Sequence, residues 1–553
     1  MKLRVLWFLS LVAASVVSAG NAMSSLMNPL SNILRASLMA GLLASALSAA
    51  AAGVAPRDIV LDTARAGAPI DRFFDLSVGA DFPGTLIRDD SQAQLKTAVD
   101  ELGFRYLRFH AIFHDVLGTV RKVDGKRVHD FTGIDRLYDR LLAAGIRPFV
   151  ELGFTPEALA TSPQTIFYWK GNTSHPDPAG WHDLIDDFVR HLESRYGAHE
   201  VRRWYFEVWN EPNLAGFWEG ADQAAYFSLY DATARAIKAI DPALRVGGPS
   251  TAGADWVEPF LAQAHANGVP VDFVSTHSYG VDSGFLDEKG VADTKLSPST
   301  DSIVGDVRRV RQQIAASAFP DLPLFFSEWS TSYNPRDLVH DSYVSAPWIL
   351  TKLRASQGMA QAMSYWVYSD LFEEPGPPTA TFHGGFGLLT REGIRKPAFF
   401  AYKYLHALQG NAIADDDDHA MAATNGTTTS VLAWDWQQPV QALSNRSFYG
   451  KPQPAGPARP LHLQWRHLKP GTYQLRVHRT GYRANDAFTA WLLMGSPANP
   501  DAAQLRRLQD LTADAPEVDR PVHVAANGQV RWTVAMRGND VVLVTLEQQS
   551  GQR

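Results

Sequence analysis

Two glutamates stand where short apolar runs give way to polar residues. Glu211 follows Trp204-Tyr-Phe-Glu-Val-Trp-Asn210 and is followed by Pro212-Asn213, while Glu328 lies within Pro323-Leu-Phe-Phe-Ser327-Glu328-Trp329-Ser330. The residues leading into each suit a strand buried on both faces. A (β/α)8 barrel displays its reactive groups on such strands, at their C-terminal ends. Two carboxylates facing one cleft are what glycoside hydrolysis requires, one to protonate a leaving oxygen and one to attack or to activate water. A lone Glu at such a point would be a helix cap or a surface acid. Two of them at strand ends, one inside Asn210-Glu211-Pro212, argue for chemistry.

The surrounding elements must bring the two together. From residue 73 to about 410, strand-like and helix-like segments alternate, which is the pattern of an α/β fold with parallel strands. Eight strands are expected, at 74–78, 105–109, 148–152, 205–209, 245–248, 273–277, 324–327 and 363–368. Helical periodicity is clearest over 181–196 and over 221–240, where Phe227, Tyr230, Ala234, Ile237 and Ile240 share a face before Asp241-Pro242 stops the helix. Closed into a (β/α)8 TIM barrel, strands four and seven face each other across the rim and point both glutamates at one cleft. The rival fold, a doubly wound open sheet, would carry a Gly-x-Gly-x-x-Gly turn after its first strand, and none is present.

Composition narrows the setting. At 553 residues, with 45% hydrophobic and 20% charged residues, the chain is long enough for two or three ordinary globular domains. A net charge of −7 offers no basic surface for nucleic acid, and the lack of cysteine removes disulfides and thiolate chemistry together. Residues 1–54 read as an export region. Met1-Lys2-Leu3-Arg4 precedes an apolar stretch, and a second stretch from Ile33 ends in small residues near Gly53. Either the first is a short anchor, or translation starts at Met23 or Met27. Both readings place the mature chain outside the cytoplasm, secreted or periplasmic, with no stable membrane span. After residue 410 the pattern changes to short strands at 430–434, 461–465, 473–477, 530–534 and 541–546, the pattern of an accessory β-sandwich over 411–553. An N-terminal segment, 55–72, alternates like a strand and is expected to join it. The acidic run Asp415–Asp418 is expected to be a solvated turn rather than a metal site.

The motif around Glu211 resembles the acid/base signature of glycoside hydrolase family 39, which holds β-xylosidases and α-L-iduronidases. The resemblance extends over Arg108-Phe-His110-Ala-Ile-Phe-His114, Ser275-Thr-His277-Ser-Tyr279, Ser327-Glu-Trp329, Ser364-Tyr-Trp366 through Phe372-Glu373-Glu374, and His383-Gly-Gly-Phe-Gly387. It implies a retaining exo-glycosidase of the β-D-xylosidase branch acting on xylo-oligosaccharides, with Glu211 as acid/base and Glu328 as nucleophile. Asn210 would bond the sugar 2-hydroxyl, Tyr279 beside His277 would hold Glu328, and Trp366 would floor the glycone site. His110, His114, His277, Glu373 and Glu374 would contact the sugar. For His110 and Trp366 the alternative is ordinary core packing, for His114 loop packing, and for Glu373 and Glu374 a solvated acidic pair. Arg108 is left between pairing with Glu328 and simply satisfying barrel carboxylates, and Glu151, at the end of the third strand, is in range of the mouth. No metal or cofactor is implied, and a homo-oligomer is permitted. Proximity to an ionised Glu328 is the expected reason for a raised Glu211 pKa. Long insertions at 154–179, 280–300 and 372–386 are expected to wall the mouth. The rival readings are α-L-arabinosidase, α-L-iduronidase, an endo-acting exopolysaccharide hydrolase and a catalytically silent carbohydrate-binding protein.

Overall fold

The computed structural model describes residues 55–549; the export region expected at 1–54 lies outside them. No helix among the described residues is long and apolar enough to cross a membrane. Eight parallel strands close into a barrel: β1 (Ser77–Ala80), β2 (Tyr106–Phe109), β3 (Arg147–Leu152), β4 (Tyr205–Val208), β5 (Arg245–Thr251), β6 (Phe273–Tyr279), β7 (Leu324–Ser330) and β8 (Ala362–Tyr365). Each pairs with the next in sequence, and Tyr365 of β8 meets Val78 of β1 to complete the ring. The first strand starts later than its sequence suggests, because Phe73–Asp75 turns as a short 3-10 helix and buries both phenylalanines there.

Inside the barrel, side chains are layered by the two-residue period of a strand. Tyr106, Phe149, Phe273 and Phe325, with Tyr205 packed against them, fill the base. Two residues further along β2, β3 and β4, the same inward face carries Arg108, Glu151 and Glu207. An apolar plug thus supports a charged layer, and the charged layer supports the mouth. β7 departs from the period. Thr276 pairs with Phe326 but His277 pairs with Glu328, so Ser327 is an extra residue in a β-bulge. Bulges re-aim side chains, and here Ser327 bonds Glu207 in the interior while the next residue, Glu328, also faces the mouth.

Beyond the barrel and three two-stranded hairpins lie two larger sheets. One has seven strands, including Ala66–Pro69, Thr428–Trp434, Gly471–Thr480 and Val541–Gln548; the other joins Arg57–Asp62, Leu461–Arg466 and Val530–Val534. Ala422, Val431, Ala433, Leu463, Trp465 and Val544 pack between them. Met421, Leu432, Trp434 and Leu543 point the other way and share an apolar cluster with the barrel. Asp415 is not solvated as expected. It is largely buried near Arg354, and burial pushes its carboxyl up to about 6.

Candidate active site

Strands β4 and β7 deliver the two glutamates to one cavity of about 440 Å³ at the C-terminal end of the barrel. The chain leaves β4 through Trp209 and Glu211, both at positive φ (70° and 46°). Neither residue type adopts that region readily, and such strain collects where a side chain must be aimed. A backbone bond from Glu211 N to Ser250 O, 2.8 Å, fixes the turn.

Glu328 is held by two donors. Arg108 Nη1 donates to Oε1 at 2.7 Å, and Tyr279 Oη donates to Oε2 at 2.7 Å. Arg108, fully buried, also donates to Glu207 at 2.6 Å and to Asn210 Oδ1 at 2.8 Å, and it lies 3.1 Å from Glu151. It is therefore the cation that supports the nucleophile candidate and three neighbours at once. Glu211 has a different setting. Its Oε1 lies 2.9 Å from His277 Nδ1, and burial pushes its carboxyl up to about 7 against the pull of His110 and Arg108. Desolvation, rather than the expected repulsion from Glu328, is the leading cause, with Glu151 adding to it. Glu211, His277 and Glu328 bring one ligand-type atom each within 4.8 Å of one another. That spacing would suit a metal, but the Arg108 guanidinium already supplies positive charge on Glu328.

Most of the other sequence candidates converge here. His110 lines the cavity, with Nδ1 2.7 Å from Glu151 and Nε2 3.1 Å from Glu374. Burial alone would depress it, but these two carboxylates outweigh that and hold it well above the usual imidazole value. Glu374 also lines the cavity, and burial lifts it to about 7. Trp366 forms part of the wall, its ring 4.7 Å from His110 and under Arg108. Gly79 is required beneath it, since a Cβ there would collide with the indole. Asn210 lines the cavity with its Oδ1 on Arg108, which leaves Nδ2 buried and without a hydrogen-bond partner.

Four candidates do not line the cavity, which corrects the sugar contacts expected of Glu373 and His277. Glu373 does not line the cavity; its carboxylate pairs with Arg88 at 3.0 Å and its amide donates to Asp81. His277 stands behind Glu211, with its side chain only 1% exposed, and meets the Glu211 carboxyl rather than the cavity. His114 caps the turn after β2 and bonds Trp169 O, a loop-packing role. Glu151 is enclosed by Arg108, His110 and the Ala111 amide and does not reach the cavity. Sequence reasoning assigned no role to Leu214, Phe217, Tyr333 or Phe386, which line the mouth. It also missed Glu207, although an acid inside an apolar strand demands a buried partner and was a readable signal.

A pair of carboxylates set in this way, one on a guanidinium and one with its proton affinity raised by burial, suits acid-assisted displacement at an acetal carbon. The profile for Glycosyl hydrolases family 39 matches residues 57–531. The chain belongs to that family. It is a glycoside hydrolase of O-glycosyl bonds. A curated β-xylosidase of Geobacillus stearothermophilus is 37% identical over 483 residues, 85% of this chain and 92% of its own. The family 39 enzyme of Xanthomonas axonopodis pv. citri superposes with a TM-score of 0.90 at 65% identity, covering 90% of this chain and 99% of its own. A monomeric β-xylosidase of Caulobacter crescentus CB15 gives 0.88 at 65%, covering 89% and 100%.

Proposed function

We propose that this family 39 hydrolase is a retaining exo-β-D-xylosidase that releases xylose from xylo-oligosaccharides. The observation that carries the reading is the short reach between Glu211 and Glu328, with an oxygen of each within 4.8 Å. Retaining enzymes hold their carboxyls about 5–5.5 Å apart, whereas inverting ones leave about 6.5–9.5 Å for a water. In the first step a Glu328 oxygen attacks the anomeric carbon while Glu211 gives its proton to the leaving oxygen. In the second, Glu211 takes a proton from water, and that water displaces Glu328 from the sugar. Asn210 Nδ2 is free to donate to a 2-hydroxyl, a bond worth most in the transition state. The Arg108 and Tyr279 bonds keep Glu328 aimed through both steps.

The glycone reading rests on the β-xylosidase relatives and on the cavity's lining. No Lys or Arg lines the cavity among the described residues, so nothing there is dedicated to a uronate carboxylate. Exo action is supported by the walls that Tyr333, Phe386 and Glu374 add from the loops after β7 and β8.

The deciding experiment pairs two single mutants with azide, on activated aryl β-xylosides. Glu211→Ala should form its glycosyl-enzyme with such leaving groups, stall, and be rescued by azide with a β-configured glycosyl azide as product. Glu328→Ala with azide should give the α product. Swapped configurations would reverse the assignment, and no cleavage of any β-xyloside by the parent enzyme would end the glycone reading.

A further inference from the structure

Behind Glu211 runs a chain of three buried side chains that does not touch the cavity. Ser327 Oγ donates to Glu207 Oε1 at 2.6 Å, and His277 Nε2 lies 3.2 Å from Ser327 Oγ. At the far side of the ring, His277 Nδ1 meets Glu211 Oε1 at 2.9 Å. The hydrogens along this chain can be placed by elimination. Glu207 Oε2 accepts from Arg108 at 2.6 Å; burial, the largest single influence, would raise its carboxyl, but Arg108 and other neighbours, the Ser275 and Ser327 hydroxyls among them, together hold it below its usual value. An ionised Glu207 can only accept, so the single hydroxyl hydrogen of Ser327 points at it. The Ser327 lone pairs then face Nε2. Ser250 Oγ, which itself accepts from Arg108, adds a second oxygen 3.4 Å from the same nitrogen. A hydrogen on Nε2 completes the contact to Ser327, the nearer of the two oxygens.

Burial pushes His277 down to about 4, so the ring is neutral in use and has one N–H. With that hydrogen on Nε2, Nδ1 presents a lone pair to Glu211. An ionised Glu211 would set a second lone pair against it at hydrogen-bonding distance, whereas a protonated Glu211 donates to it.

We propose that Glu207 and Ser327 are positioning residues that lock His277 as the Nε2–H tautomer and thereby hold the proton on Glu211. The proposal rests on the reading of Glu211 as acid/base and extends it to residues that no substrate touches. It accounts for both halves of the cycle. The locked ring favours the acid before the leaving group departs, and it makes the resulting carboxylate a stronger base towards water afterwards. The relay moves no proton itself. The bulge at Ser327 is what makes it possible, because adjacent residues of β7 serve the relay and the nucleophile position. Other charged or titratable groups face this pair: Arg108 and His110 from β2, Glu151 from β3, Tyr279 from β6, Glu328 from β7 and Glu374 beyond β8. Ser327→Ala changes none of them.

The first test needs no substrate. With imidazole-¹⁵N histidine, the His277 signals (assigned by their loss in His277→Asn) should show a protonated Nε2 and a bare Nδ1 at about pH 6, between the two buried groups' titrations. A proton on Nδ1 would overturn the proposal. The second test is kinetic. Ser327→Ala frees the ring to donate from Nδ1 and so stabilises ionised Glu211. The alkaline limb of kcat/KM should move down by about one pH unit. At slightly alkaline pH, alkyl xylosides should lose about tenfold in rate while aryl glycosides with activated leaving groups lose little. Ser327→Thr, which keeps the hydroxyl, should restore the limb. A folded Ser327→Ala enzyme with an unchanged tautomer and an unchanged limb would overturn the proposal. Failure of the acid/base reading looks different, since Glu211→Ala would then show no azide rescue whatever the tautomer.

Discussion

Two clusters of buried charge sit within the same barrel, and only one of them faces the cavity. Around Lys396, Nζ lies 2.6 Å from both Asp341 and Asp370 and bonds Gly385 O at 2.9 Å. The remaining aspartate oxygens accept backbone amides, Gly384 N on Asp341 and Gly387 N on Asp370, each at 2.7 Å. This cluster is closed off from the cavity, although burial also raises both of its aspartates above their usual range, and its output is mechanical: it pins residues 384–387 and with them Phe386 at the mouth. Around Arg108 the cation, the burial and the acids are similar, but the acids outnumber what the cation can hold. Glu211 and Glu374 are lifted to about 7, and the Asn210 amide keeps an unpartnered donor. Buried charge alone thus does not mark a reactive centre. Unfinished business facing a cavity does, because it can be completed only by a ligand or a transition state.

The largest expected effect tests the reactive member of this comparison. Glu328→Ala should lower kcat/KM on every substrate by about 10⁴-fold or more, or about 5.5 kcal/mol of transition-state stabilisation. Urea unfolding of the same variant should shift far less, since Arg108 keeps Glu207 and Glu151. Activity surviving within a factor of about ten, a change of about 1.4 kcal/mol, would remove Glu328 from the chemistry.

Lys396→Met should show the opposite profile. It leaves two buried aspartates without a counter-ion, which costs about 3–5 kcal/mol of stability. The folded fraction should retain most of its kcat, because no group of this cluster meets substrate. Stability by urea melts and turnover below the transition separate the two quantities. An unaltered midpoint with a collapsed kcat would merge the clusters into one functional unit.

A third effect links the two properties at one residue. Folding raises the Glu211 carboxyl from its ordinary range to about 7, so the folded state favours the protonated form. That contribution is whole below the unfolded carboxyl range and is lost as pH rises through about 7. Glu211→Gln, always neutral, escapes the loss. It should be more stable than the parent by on the order of 2–3 kcal/mol at pH 8 and nearly equal to it at pH 4. The parent's kcat/KM should fall over the same alkaline range as the acid deprotonates. Equal stability differences at both pH values would show that Glu211 is not strained by burial.

The sequence marked the two glutamates because each ends an apolar run, a local pattern that survives without any tertiary knowledge. The barrel was legible for the same reason: strands buried on both faces read as continuous apolar segments. Ala420–Thr424 was not legible, since its small residues lie between the sandwich core and the barrel and carry no alternation. The helices Ala487–Leu493 and Ala502–Asp510 interrupt the sandwich without a strong period of their own. Within the site, Asn210, His110, Trp366 and Glu374 were found through motifs, while Glu373 was misplaced because adjacent residues of a loop can face opposite ways. Tyr333 and Leu214 line the mouth from loops whose course depends on packing alone, and no residue pattern announces them.

The smallest effect concerns the unpartnered donor. Asn210 Oδ1 is anchored by Arg108, so the amide cannot turn and Nδ2 must point away from the guanidinium. A buried donor left unsatisfied costs about 1–3 kcal/mol. A sugar hydroxyl that accepts from it removes that cost, and more fully in the transition state, where the 2-hydroxyl bond tightens. Asn210→Ala should therefore reduce kcat/KM on an aryl β-xyloside by about 10–100-fold, roughly 1.4–2.7 kcal/mol, mainly through kcat. On the matching 2-deoxy glycoside the parent should already be slow, and the same substitution should change little. The difference between the two substrates is the coupling between the amide and that hydroxyl. Equal losses on both would show that Asn210 acts by holding Arg108 in place, which would move it from the unfinished side of the comparison to the closed one.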